Sequence, residues 1–201
     1  MKTLKIHLIR HGATDANYRG QYIGCKTDLP LCPEGVSELQ LLKENLEYPD
    51  IERLYTSPLL RCRQTAAVLF PHMEPTCIDD LREYDFGSFE GKTAAELEGD
   101  PHFIPWTSGK LSAPPGGEEN ADFIKRLCTG LNTIVMDMTE NGHHSAGVVM
   151  HGGAIMMLLG VCAVPRHKPV EWTADNGRGY SLLVTPSLYC KTGVVEVYDI
   201  I

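Results

Sequence analysis

The sequence predicts an α/β fold with a mostly parallel sheet covered by helices on both faces, and three observations carry that prediction. Strand-like and helix-like segments alternate along the chain. Leu4 to Ile9 and Val148 to Met150 read as buried strands. Each of these two runs ends in a histidine followed by glycine, at Arg10-His11-Gly12 and at His151-Gly152-Gly153. Ligands of open α/β sheets sit beyond the carboxyl ends of the strands, so the recurrence marks a candidate pocket holding two imidazoles.

The elements follow in order. After the first strand, Val36, Leu39, Leu42 and Leu46 recur at helical spacing, which predicts a helix from Glu34 to Leu46 with Pro33 near its first turn. Arg53 to Thr56 reads as a short strand. Ser57-Pro58 then supplies an N-cap residue and a proline for the first helical position, so a helix is expected to about Phe70. Residues 71–117 are proline-rich, with a short helical pattern only at Thr93 to Glu98, and read as an irregular excursion of the lid or binding-loop kind. From Glu118 to about Thr139 a long helix carries Phe123, Leu127, Leu131, Ile134 and Met138 on one face. The strand before His151, a helix after it, and strands at Tyr180 to Val184 and Val194 to Tyr198 complete the chain.

Bulk properties bound the function. With 201 residues, 43% hydrophobic and 22% charged, the chain fits one well-filled domain, 1–201. A formal charge of -8 argues against a broad nucleic-acid or anionic-lipid face, and allows a small phosphorylated metabolite only where positive charge is concentrated locally. The seven cysteines are odd in number and form no C-x-x-C pair, as expected of free thiols in a reducing cytoplasm. Met1-Lys2-Thr3-Leu4 enters a strand without a signal peptide's apolar region, which fits the same compartment. Ala146 to Val164 has the length of a membrane span, but its internal glycines around His151 and its lack of flanking Trp or Tyr fit strand, turn and buried helix better. No membrane or nucleic-acid partner is expected.

The chemistry-bearing residues suit phosphoryl transfer, which needs a nucleophile, donors for three non-bridging oxygens and an acid for the leaving oxygen. His11 is the candidate nucleophile, because a neutral imidazole keeps a free lone pair at cytosolic pH once its other nitrogen is held by a hydrogen bond. Arg10 beside it, and Arg61 in the helix that Ser57 is expected to cap, supply guanidinium forks that match phosphate oxygens. His151, followed by Gly152 at a helix start, is a further donor, and Asn17 adds an amide. Glu83, between Arg82 and the aromatic Tyr84 and Phe86, is the candidate acid, since partial burial raises a carboxyl pKa; Asp85 is its rival. Each alone has an ordinary structural explanation; their combination is what points to a site.

Competing chemistries fail on spacing. No cysteine has arginine six positions on, and Phe86 stands where a P-loop ending at Gly91-Lys92-Thr93 needs glycine. There is no G-x-S-x-G elbow, no H-E-x-x-H and no zinc-spaced Cys/His set, and His143-His144 reads as a solvated turn.

The stretches LIRHGATDAN (8–17), YTSPLLRCRQTA (55–66), LREYDFGSFEG (81–91), PPGGEE (114–119) and VVMHGG (148–153) resemble, in order, the histidine phosphatase superfamily in its phosphoglycerate mutase-like branch. The resemblance implies a three-layer α/β/α sandwich, a phosphohistidine on His11, and Arg10, Arg61 and His151 around the phosphoryl group. It further implies Glu83 as proton donor, Asn17 and Ser57 at the phosphate, no metal and no cofactor. Cofactor-dependent mutases of the branch carry arginines after the acid motif. Residues 92–117 here hold none, and Asp85 stands among the residues where those enzymes place positive charge. Hydrolysis is therefore expected over the mutase reaction, with α-ribazole phosphatases and broad sugar-phosphate phosphatases as the nearest analogies. The alternative from another class is a regulatory module that binds phosphorylated ligands without turnover. Phe103, Trp106 and Leu111 are candidates either for an apolar substrate wall or for packing within their loop.

Overall fold

The strand predicted at Leu4 to Ile9 runs one residue further, as β1 (Leu4–Arg10), and the other elements are arranged around it. The computed structural model describes residues 3–46 and 48–201. Met1 and Lys2, on which the expectation of a leader-free start partly rested, lie outside the described residues. After β1 come α1 (Asp15–Tyr18), α2 (Pro33–Asn45), β2 (Arg53–Thr56), α3 (Leu60–Leu69) and β3 (Thr76–Cys77). Then follow α4 (Ala94–Leu97), α5 (Phe103–Thr107), α6 (Asn120–Asn141), β4 (Ser145–Met150) and α7 (Gly152–Cys162). The chain ends with β5 (Ala163–Val164), β6 (Gly179–Val184), α8 (Pro186–Thr192) and β7 (Val195–Ile200).

The strands form one sheet in the order β3-β2-β4-β1-β6-β7-β5. It is mixed. β1 with β4, β2 with β4, β2 with β3 and β5 with β7 run parallel, whereas β6 is antiparallel to both β1 and β7. Residues 185–194 that join β6 to β7 are fewer than the dozen or so a parallel crossover takes, so these two pair antiparallel.

Helices cover both faces, giving the three-layer sandwich. On one face Ile6 and Leu8 of β1, Val148 of β4 and Leu182 of β6 pack with Phe123, Leu127, Leu131 and Ile134 of α6 and Ile155 and Leu158 of α7. On the other, Ile9 packs with Leu39 of α2 and Leu69 of α3, and Val149 with Cys62 and Ala66 of α3. The stripe predicted on the long helix is thus its buried face. The apolar run 146–164 divides into β4, α7 and β5, and no helix among the described residues is long and apolar enough to cross a membrane.

Two local expectations need correction. Ser57 and Pro58 do not open the helix after β2. α3 begins at Leu60 with Leu59 at its N-cap, and Asp28 Oδ1 accepts the Leu60 N–H at 2.7 Å. Ser57 is fully buried and its hydroxyl is paired with His151, so a loop carboxylate takes over the capping role. Residues 71–117 are also less irregular than predicted. Besides α4, at the short helical pattern expected from Thr93 to Glu98, they hold β3 and α5, and Phe89, Leu97 and Phe103 form a small core of their own with Tyr22, Phe86 and Trp106 packed on it.

Candidate active site

Parallel pairing of β1 with β4 sets Arg10 opposite Met150, so the next residue of each strand, His11 and His151, emerge side by side at the carboxyl end of the sheet. The His11 N–H donates to the Met150 carbonyl at 2.9 Å. The two rings meet edge to face with centroids 5.2 Å apart. The pocket inferred from two strand ends is thus one place in the fold.

His11 is 5% exposed, and its Nδ1 lies 2.7 Å from the Gly12 carbonyl. A carbonyl only accepts, so Nδ1 carries the proton in the tautomer this network assigns, and Nε2 keeps its lone pair. Burial, then the Arg61 charge, pushes the His11 pKa well below 6.5, with the Gly12 carbonyl and Arg10 as smaller opposing and reinforcing influences. Asn176 Nδ2 donates to the His11 carbonyl at 2.7 Å, and the Gly12 N–H donates to Thr65 Oγ1 at 2.9 Å, fixing the main chain on both sides of the ring.

Arg61 and His151 lie behind His11. The Arg61 Nε–H donates to His151 Nδ1 at 3.3 Å, leaving the His151 proton on Nε2, which faces Ser57 Oγ at 2.8 Å. The other two guanidinium nitrogens of Arg61 donate to the Thr27 and Gly24 carbonyls at 3.1 Å each. Gly24 admits no side chain here, because a Cβ would collide with the Tyr84 carbonyl. Burial followed by the Arg61 charge holds the His151 pKa well below 6.5 as well.

Glu83 follows a short 3-10 turn, Asp79–Leu81. Its Oε1 accepts the Tyr84 N–H at 2.9 Å and its Oε2 accepts the Gly153 N–H at 3.0 Å. Burial raises its pKa; the two N–H groups and the nearby Arg61 and Arg10 pull the other way without reversing it. Gly153 leaves room for the carboxylate, since a Cβ there would come within 2.7 Å of Oε1. The rival Asp85 turns elsewhere, 3.5 Å from Lys26 Nζ and accepting the Gly87 N–H at 3.1 Å.

A cavity of about 340 Å³ opens at this point, and Arg10, His11, Asn17, Glu83 and Gly152 are on its wall. Ser57, Arg61 and His151 are not; they form the buried layer behind His11. Arg10 donates from Nη1 to the Ala174 carbonyl at 2.7 Å, while its Nε is buried without a partner among the described residues. An orphaned buried donor on a cavity wall suits an anionic ligand. Asn17 Oδ1 accepts from both the N–H and the hydroxyl of Thr14, at 2.9 and 3.0 Å. Of the three residues considered for an apolar wall, Trp106 lines the cavity, whereas Phe103 belongs to the loop core and Leu111 is absent from the wall.

Three contributors escape a reading by residue type. Asn176 carries no sequence signal. Gly153 is signalled only as the second glycine after His151. Arg126 shows as a charge beside the apolar stripe of α6: its Nε and Nη2 grip both carboxylate oxygens of Glu118 at 2.7 and 2.9 Å. Its Nη1 donates to the Asp80 and Arg82 carbonyls at 3.0 and 2.7 Å, and Nη2 to the Glu83 carbonyl at 2.9 Å.

Known proteins share this architecture and sequence. The sequence profile of the histidine phosphatase superfamily (branch 1) matches residues 6–187. A broad-specificity phosphatase of Saccharomyces cerevisiae is 33% identical over 165 residues, 78% of this chain and 69% of that protein. Among solved structures, the α-ribazole phosphatase of Shigella flexneri superposes with a TM-score of 0.78 at 21% identity, covering 98% of this chain and 96% of that one. A phosphoglycerate mutase of Thermus thermophilus gives 0.69 at 27% identity, covering 98% of each. With the profile spanning nearly all of the fold around the paired histidines, this chain belongs to the histidine phosphatase superfamily, branch 1, and is a phosphatase of that family.

Proposed function

We propose that the chain is a cytoplasmic phosphomonoesterase for a small phosphorylated metabolite, working through a phosphohistidine on His11. His11 Nε2 attacks phosphorus in line, the ester P–O bond breaks, and the proton of Glu83 goes to the departing oxygen. The Glu83 carboxylate then takes a proton from the water that attacks the phosphohistidine, which frees phosphate and restores both side chains. Arg10 and Asn17 meet the non-bridging oxygens from the cavity wall, Arg61 adds its charge from the buried layer behind His11, and Ser57 holds the proton of His151 on Nε2 beside it, while Gly152 gives Arg10 room. Covalent catalysis splits one hard displacement into two easier ones, and the buried cations stabilise charge in each.

The observation that carries this reading is the shared cavity wall of His11, its Nε2 lone pair left free by the Gly12 carbonyl, and Glu83, with a pKa raised by burial. The test is p-nitrophenyl phosphate hydrolysis in EDTA at pH 5 to 8, with alkaline quench to trap a base-stable phosphohistidine. Turnover with a trapped phosphoenzyme is expected, both lost in His11→Ala. Binding of phosphate esters without turnover would establish the regulatory module instead. Bisphosphoglycerate-dependent conversion of 3-phosphoglycerate faster than its hydrolysis would establish the mutase.

A further inference from the structure

We infer that the leaving-group end of the cavity selects phosphate monoesters of uncharged aromatic alcohols, an inference that rests on the phosphatase reading above. Beyond Arg10, His11, Asn17 and Glu83, the wall is mostly aromatic and thioether, with Tyr22, Tyr84, Phe86, Trp106, Met156 and Met157, and its other polar side chains are Gln21 and Asn120. The half-buried Trp106 meets Tyr22 and Phe86 edge to face, each at 6.0 Å between ring centroids, and lies nearly parallel to Tyr84. Aromatic rings and thioethers thus line the space a substrate would fill, and aromatic guests gain from contact with both. Arg10 is the one Lys or Arg on that wall, and it sits at the phosphate end. A second anionic group on the substrate would lose water there without gaining a cation. Polyhydroxyl groups gain little more, since the amide of Gln21 is already spent on the Gly91 carbonyl at 2.6 Å and on Arg19 at 2.9 Å, and Asn120 Oδ1 accepts the Tyr84 hydroxyl at 2.9 Å.

Benzyl phosphate, glycerol 3-phosphate and 3-phosphoglycerate test this with alkyl leaving groups throughout. We expect kcat/KM for benzyl phosphate to exceed that for glycerol 3-phosphate by about tenfold or more, as burial of a ring implies, and 3-phosphoglycerate to be poorer still. Trp106→Ala should erase about tenfold of the benzyl preference while changing glycerol 3-phosphate less than about threefold. Met156→Ala should erase a smaller part, and serves if Trp106→Ala fails to fold. Equal or better use of glycerol 3-phosphate or 3-phosphoglycerate by the wild type, or an equal loss on all three esters in the variants, overturns the inference. Failure to hydrolyse even p-nitrophenyl phosphate overturns the phosphatase reading rather than the selectivity.

A different observation supports a second inference: the geometry points to Arg126 and Glu118 as residues that position the acid Glu83, which again presumes that role for Glu83. All five guanidinium N–H groups of Arg126 are used, and three of them hold the carbonyls of residues 80, 82 and 83. The clamp grips Glu83 by its own backbone, and Glu118, from the PPGGEE stretch, fixes the clamp. A displaced acid costs most where the leaving oxygen is basic and least where it departs unaided. Arg126→Lys and Glu118→Gln should therefore lower kcat/KM for benzyl phosphate about tenfold more than for p-nitrophenyl phosphate, as Glu83→Gln should do more strongly. Equal losses on the two esters in the clamp variants, with Glu83→Gln discriminating between them, would assign Arg126 a purely structural role. Equal losses in Glu83→Gln itself overturn the acid role.

Discussion

At the scale of single residues, the chemistry rests on which form of each group burial selects. In the proposed mechanism neutral His11 and protonated Glu83 are the reactive pair, and burial, the first cause of each shift, moves both pKa values toward those forms. With an alkyl phosphate, kcat/KM should fall as pH rises through the raised Glu83 value, because the acid loses its proton there. Glu83→Gln should remove that descending limb while lowering the whole profile about 10²-fold or more, and a wild-type-shaped limb in the variant would contradict the assignment. Gly153→Ala separates geometry from stability. At this second residue of α7 alanine restricts the unfolded chain more than glycine does, yet the new methyl would press on Glu83 Oε1, so activity should drop about tenfold or more with the melting temperature unchanged or raised. Arg10 and His11 were legible at the end of a strand, and Arg61 and Glu83 through the chemistry their side chains carry within their motifs. Gly153 and Asn176 were not, since each matters through a neighbour supplied by a distant part of the chain.

At the scale of elements, long periodic segments were legible, as were the short β2 and α4, whereas the other short elements were not. The 22-residue α6 announces itself by its stripe, whereas four-residue α1 and five-residue α5 hold too few turns to show a period. The helix after β2 shows where local rules fail. Ser57-Pro58 has the composition of a helix start, but a hydrogen bond to His151 claims the hydroxyl, and Asp28, distant in sequence, caps α3 instead. Asp28→Ala should cost about 1 kcal/mol in urea unfolding, the usual worth of a cap, while Ser57→Ala should weaken activity more than stability. If Ser57→Ala instead lost as much stability as Asp28→Ala and kept full activity, the two assignments would have to be exchanged.

At the scale of the whole molecule, the mixed sheet buries three histidines that the fold keeps neutral: His7 on β1, lowered to about 4 by burial, and His11 and His151, also lowered chiefly by burial. Unfolded, each takes up a proton near its ordinary value of about 6.5. Below that pH the unfolded chain binds more protons than the folded one, so the stability these groups contribute is present above about pH 6.5 and is lost as pH falls. Glu83 works in the opposite sense, because its folded value is raised: it takes up its proton earlier when folded and returns stability as pH falls. Each histidine is worth up to about 1.4 kcal/mol per pH unit, and one carboxyl offsets at most one of the three. Urea unfolding should therefore show stability falling by roughly 2–4 kcal/mol from pH 7 to pH 5.5, before ordinary carboxylates begin to titrate. His7→Gln, away from the cavity, should reduce that slope while leaving catalysis in place. Stability that is flat or rising over the same interval would mean that the folded protein accommodates the protonated imidazoles, contrary to burial without a paired acid.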